Sequence, residues 1–262
     1  MYKLSRIFIE SLKLCFTLIL LFRGSLRELS LAHNLLGAVP RVALQGLGHL
    51  AMLDLSENQI SILQNRDFEG ISPGLMELRM SGCGLHSISD SAFYGVGSLK
   101  TLDLSNNGLS AAPNRAFGYV KHLEELSIGR NKLRTLHSGD FLFLERLKHF
   151  DLDGCSVDSL TLDPGIFRQN TNMETIKIRC PGLTTVSEEV SFKHMPALHS
   201  LSFHGSGLET VPRNLAKYQD LATLDLGSNP LRCDCNLEFL YKLLTAPVPV
   251  EVIMIRLDSL CA

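Results

Sequence analysis

The chain has 262 residues, 45% of them apolar, and a formal net charge of −2. That length and apolar content can bury a large core in one or two domains. A near-neutral balance with no consecutive run of Lys or Arg argues against nucleic acid as the main partner, because phosphate binding needs a concentrated basic surface.

The N-terminus carries Lys3, Arg6 and Lys13, followed by the apolar run Leu14 to Phe22. As a helix this run spans about 13 Å, well short of a hydrocarbon core of roughly 30 Å. Residues 1–24 therefore read as a signal peptide or apolar leader, although no A-x-A cleavage site follows. A signal anchor, or a segment foreign to the fold, are the alternatives.

From Leu26 onward the pattern L-x-x-L-x-L-x-x-N-x-L recurs nine times, beginning at Leu26, Leu50, Leu75, Leu99, Leu123, Leu147, Met173, Leu198 and Leu221. The steps are 24, 25, 24, 24, 24, 26, 25 and 23 residues. Chance does not hold five apolar columns in phase over so many copies, so residues 26–231 are read as one repeat array. Within a repeat, pairs such as Leu29 and Leu31 or Leu102 and Leu104 alternate with period two, which places both on one face of a short strand. Ser30, Asp54 and Asp103 point the other way. Asn34, Asn58, Asn107, Asn131 and Asn229 follow each strand, where a side-chain amide can satisfy backbone groups left unpaired by a bend. Cys83, Cys155, Pro181 and Ser206 take that position in the other repeats.

A second column lies six or seven residues before each new repeat: Phe68, Phe93, Phe117, Phe141, Phe167 and Phe192, with Leu44 and Leu215 completing it. These side chains are expected to stack as an apolar spine, a core element and not a cofactor box. A single repeat cannot bury its apolar side alone, so neighbours stack and their strands pair in parallel. The expected fold is an α/β solenoid, a horseshoe with a parallel β-sheet on the concave face and mostly irregular or short helical convex segments.

After the last repeat comes N-P-L-R-C-D-C, then Leu237, Leu240, Tyr241 and Leu244 at the spacing of a one-faced helix. Cys233 and Cys235 are too close in sequence to bond each other comfortably, and Cys261 is the remaining cysteine at that end. Disulfides in an oxidising compartment are the favoured reading over half a metal site. At this point the chain resembles the extracellular leucine-rich repeat family with a cysteine-rich C-terminal flanking domain, of the Slit-like, chaoptin-like, Toll-like and acid-labile-subunit-like kind. The resemblance covers residues 26–262. It implies a Cys233–Cys261 bridge, leaves Cys235 without its fourth cysteine, and puts Phe239 where the family usually has Trp. Residues 232–262 would then be a partial cap. The missing N-terminal cap and the end of the chain one residue after Cys261 read as marks of a truncated or incompletely predicted polypeptide. No N-x-S/T sequon occurs, which is unusual for an extracellular solenoid.

No metalloprotease, nucleophile-elbow, P-loop or dinucleotide motif is present, so no catalytic residue, cofactor or metal is expected. Asp151–Gly154 could suggest a cation site, but both Asp residues fall in outward strand columns. Cys83, Cys155 and Cys180 read as small buried or half-buried thiols, with a Cys155–Cys180 bridge as the alternative. The outward columns of repeats one to five hold mostly Ser, Asp, Glu, Ala and Gly. Repeats six to eight differ, presenting His149, Asp151, Asp153, Lys177, Arg179, His199 and His204. This patch is the expected docking surface for a protein ligand, with Arg179 as anchor, against the plainer reading of a solvated, ion-paired face. If His149 and His204 faced each other, binding would weaken below about pH 6. The expected role is that of a secreted or cell-surface recognition module such as a receptor ectodomain. A secreted matrix scaffold is the second reading and an intracellular adaptor the third. A membrane would enter only through an uncleaved leader or a C-terminal span beyond the chain.

Overall fold

In the computed structural model, residues 23–232 and 238–240 are described in full, together with the backbone of Arg6–Phe8 and Val252–Met254. They fall into two compact units, one formed by residues 1–109 and 113–128, the other by residues 110–112 and 129–262.

In the first unit each repeat contributes one short strand: Glu28–Ser30, Met52–Asp54, Glu77–Arg79, Thr101–Asp103 and Glu125–Ser127. All pair in parallel with the strand of the next repeat, and the register sets Leu29, Leu53, Leu78, Leu102 and Leu126 side by side. None of the five is more than 2% exposed. Burial of each such side chain contributes roughly 1.5–3 kcal/mol. Strand Arg6–Phe8, within the segment read as a leader, pairs parallel to Glu28–Ser30.

The second unit repeats this plan with His149–Asp153, Thr175–Arg179, Ser200–Ser202, Thr223–Asp225 and Val252–Met254, again parallel. On the return side the coils are short and irregular, as expected. They include the four-residue helices Arg41–Leu44 and Asn114–Phe117, the 3-10 turn Tyr218–Asp220, and two-residue strands such as Ile62–Leu63 and Thr161–Leu162.

The spine is buried at all eight expected positions. Phe68 stacks on Phe93 at 6.0 Å in the first unit, and Phe141 on Phe167 at 5.1 Å in the second. Phe150 adds an edge-on contact to both Phe141 and Phe167. Three residues after the spine, Asn170 replaces an apolar residue deep in the stack. It is satisfied because its amide donates to the carbonyls of Phe141 and Leu144 in the preceding coil. Phe239, at the start of the C-terminal segment, lies 5.2 Å from Tyr218.

After the strand of every repeat but the seventh the chain bends through one residue of left-handed backbone. His33, Glu57, Gly82 and Asn106 hold that conformation in the first unit, and Arg130, Gly154, Gly205 and Ser228 in the second. The next residue is the ladder position. Asn58 shows its chemistry: the amide donates to the carbonyls of Leu31 and Leu55, and its oxygen accepts the Leu36 N–H, so two coils are joined. Repeat seven departs from the sequence expectation. Its strand runs on to Arg179 with no left-handed residue, and the Cys180 N–H donates to Ser206 Oγ at 3.2 Å, as the Cys83 N–H donates to Asn107 Oδ1 at 3.0 Å. The bend is one residue shorter there, so Cys180, not Pro181, occupies the ladder.

Asn58→Ala should lower stability by about 2 kcal/mol, because backbone groups of Leu31, Leu36, Leu55 and Ser56 each lose a hydrogen bond. Urea denaturation measures this, and a loss below about 0.5 kcal/mol would show that the ladder is dispensable.

Candidate functional site

The expected patch lies within the second unit, on the outward side of its strands. Register places Asp151 beside Lys177 and Asp153 beside Arg179. Lys177 Nζ sits 3.3 Å from Asp151 Oδ2 and 3.8 Å from Asp153 Oδ2, and Arg179 Nε lies 3.8 Å from Asp153 Oδ1. An ammonium therefore lies between the two carboxylates that might have suggested a cation site, and among the described residues no group of three or more His, Cys, Asp or Glu is placed to hold a metal. All four side chains are a third to a half exposed, so each pair contributes at most about 1 kcal/mol.

The histidines do not join this grid. His149 Nε2 faces Glu174 at 4.0 Å, and His204 Nδ1 faces Asp225 at 3.2 Å. His149 is in register with Thr175 and, through it, Ser200, whereas His204 lies beyond the end of the Ser200–Ser202 strand. The two imidazoles do not face each other, so the condition for the pH-linked weakening is not met. His199 precedes its strand at the edge of the face, exposed, where its carbonyl accepts the N–H groups of Ala222 and Thr223.

Two features of the face were not read from the sequence. Glu174 and Asp225 are the acidic partners of the histidines; Glu174 stands one residue before Thr175, the register partner of His149, and Asp225 stands opposite Ser202, so repeat spacing alone did not point to them. The second concerns the acids themselves. Asp151 Oδ1 accepts the Asp153 N–H and Asp225 Oδ1 the Gly227 N–H, as Asp54 and Asp103 do for Ser56 and Ser105 in the first unit. Each of these Asp residues closes the turn after its own strand, so part of the acidity is structural.

Cys155 and Cys180, expected as thiols, are joined in a disulfide with their Cα atoms 5.0 Å apart. The reason is the shortened bend of repeat seven, which puts Cys180 on the ladder directly after Cys155. The alternative reading is the correct one, and a covalent rung replaces asparagine amides beside Asp153 and Arg179. Among the described residues Cys83 has no cysteine neighbour and stays a buried thiol, its pKa pushed up to about 11 by burial. The cap cysteines Cys233, Cys235 and Cys261 lie outside the described residues, and of the expected cap helix only Glu238–Leu240 is described, as helix.

The repeats match the leucine rich repeat family over residues 24–72, 73–117 and 98–157, together just over half of the chain. The chain belongs to the leucine-rich repeat family. A curated relative is Tsukushi of Gallus gallus, 25% identical over 177 residues, which are 67% of this chain and 40% of that protein. Leucine-rich repeats of similar fold occur in Toll of the Drosophila Toll–Spatzle complex, with a TM-score of 0.62, 20% identity, and coverage of 79% of this chain and 30% of Toll. TLR13 in its complex with ssRNA13 gives 0.61 at 22% identity, over 85% of this chain and 40% of that one. A leucine-rich repeat protein of Leptospira interrogans gives 0.58 at 20% identity, over 79% of this chain and 56% of that one. The chain thus spans well under two thirds of the relatives it matches. No helix among the described residues is long and apolar enough to cross a membrane.

Alkylation at pH 8 followed by peptide mapping should leave Cys83 unlabelled in the native protein, and Cys155 and Cys180 unlabelled until reduction. Rapid native labelling of Cys155 would contradict the bridge. The closed loop has a sequence separation of 25, so Cys155→Ala with Cys180→Ala should cost about 3 kcal/mol.

Proposed function

We propose that the strand face of the second unit binds a protein ligand, and that the chain works as an extracellular or cell-surface recognition module without catalytic activity. The observation that carries this reading is the in-register grid of Asp151, Asp153, Lys177 and Arg179. Equal numbers of acids and bases, preset on adjacent strands about 5 Å apart, suit a mixed-charge protein surface better than a polyanion. Arg179 is the anchor: its approach to Asp153 is loose, Nε lying 3.8 Å from Oδ1, and its guanidinium is suited to a partner's carboxylate or carbonyl. The Cys155–Cys180 bridge supports an oxidising compartment and disfavours the intracellular adaptor. That Toll, a protein of similar fold, is found in complex with Spatzle is in keeping with a protein ligand.

A second reading has its own observation. The charges of the grid satisfy one another, as in a solvated face that binds nothing. The two readings part on a single experiment, chemical cross-linking and capture from the extracellular fraction of the source tissue. Lys177→Glu with Arg179→Glu should reduce recovery of a specific ligand by about tenfold relative to the parent chain, since two central charges reverse sign. Equal recovery would remove the strand face from consideration. A full-length transcript separates receptor from scaffold, by whether a membrane span lies downstream.

A further inference from the structure

Beyond the strand face, one segment of the second unit collects positive charge that nothing in its surroundings answers. Arg130-Asn131-Lys132-Leu133-Arg134 leaves the bend of the fifth coil with Asn131 and Leu133 buried and Arg130, Lys132 and Arg134 exposed. Among the described residues none of these three cations forms an ion pair, although Lys148, Lys177, Arg179 and Arg232 of the same unit all do. The charge is easily overlooked in the sequence because an inward residue separates each cation from the next.

The segment is held at both ends. Asn131 bridges in parallel to Cys155, and its carbonyl accepts the Ser156 N–H at 3.1 Å. The Arg134 carbonyl accepts the Thr161 N–H at 2.9 Å, and Thr135–Leu136 pairs with Thr161–Leu162. Arg130 is seated as well. Its N–H donates to the Gly154 carbonyl at 2.6 Å, and its side chain crosses Gly154, where a Cβ would stand 2.9 Å from Arg130 Cγ. Gly154 has φ of +78°, so glycine both makes the bend and clears the seat. The Cys155–Cys180 bridge then ties the supporting coil to the next.

We propose that Arg130, Lys132 and Arg134 form a rigid comb that docks an extended, acidic segment of a partner protein, with carboxylates on alternate residues. Burial alternates along the segment, outward at Arg130, Lys132 and Arg134 and inward at Asn131 and Leu133, and an extended peptide likewise presents every second side chain to one side, about 6.7 Å apart. The two arginines at the ends offer planar forks that match carboxylates, and Arg130, already seated on Gly154, loses less freedom on binding than a free side chain. This surface is separate from the strand face and does not depend on it.

The test uses the full chain and two fluorescein-labelled peptides of equal composition, one with Glu and Thr alternating over six residues, the other with three Glu followed by three Thr. Fluorescence anisotropy in moderate salt should show the alternating peptide binding about fivefold more tightly than the block peptide. Arg130→Gln with Lys132→Gln and Arg134→Gln should weaken it about tenfold without changing the melting temperature, while Arg168→Gln, on another exposed segment of the unit, leaves it unchanged. Should the triple variant unfold, Arg134→Glu alone must still weaken binding. Equal affinity for the two peptides, or no effect of the substitutions, would overturn the proposal. Tighter binding of a heparin hexasaccharide or an RNA oligonucleotide, lost in the same variant, would overturn it in favour of a polyanion site.

Discussion

Each coil of this chain can seal only one side of itself, and the rest of the structure follows from how the next coil covers what is left. Parallel pairing brings Leu53 beside Leu78 and Leu78 beside Leu102, so an apolar column that leaves one strand half-covered is closed by its neighbour. A slip by one residue would turn every leucine of a strand to the outside, which makes the register steep in free energy. Two further columns hold the same register from other sides. The asparagine ladder ties the bend of one coil to carbonyls of the coil before, and the phenylalanine spine fixes the return side. Lateral spacing is thereby set for every residue that points outward.

Function rides on that spacing. Once coils are locked, a side chain at a given column has a defined neighbour a coil away, and charge becomes geometry. Lys177 meets two carboxylates because Asp151 and Asp153 of the coil before both lie within its reach, while Arg130, Lys132 and Arg134 meet none among the described residues. The same backbone conditions serve both surfaces. Gly205 and Gly154 are both left-handed at the bend beneath Arg179 and Arg130 of the coils before them, and at Gly154 the missing Cβ also leaves room for Arg130. Asn is lost from three successive rungs, and a disulfide joins the first two, Cys155 and Cys180, between the strand face and the outgoing segments.

The amino-acid sequence alone determined the repeat, its period, the strand columns and the spine, because each rests on a residue type recurring at a fixed interval. Burial of Phe68, Phe93, Phe117, Phe141, Phe167 and Phe192 was readable for that reason. It also picked out Asp151, Asp153, Lys177 and Arg179 as unlike the earlier repeats. What it could not decide were events that break the period. Counting columns set Pro181 on the ladder, but strand Thr175–Arg179 runs into a bend one residue shorter, and only the folded chain shows Cys180 arriving beside Cys155. Ion pairs belong to the same class. Whether His149 faces His204 or Glu174 depends on side chains from separate coils meeting across a few ångströms, and pattern along one chain carries no such distance. Periodic burial is a local property repeated many times over, legible in one dimension; pairing between coils is a tertiary outcome, decided when the coils stack.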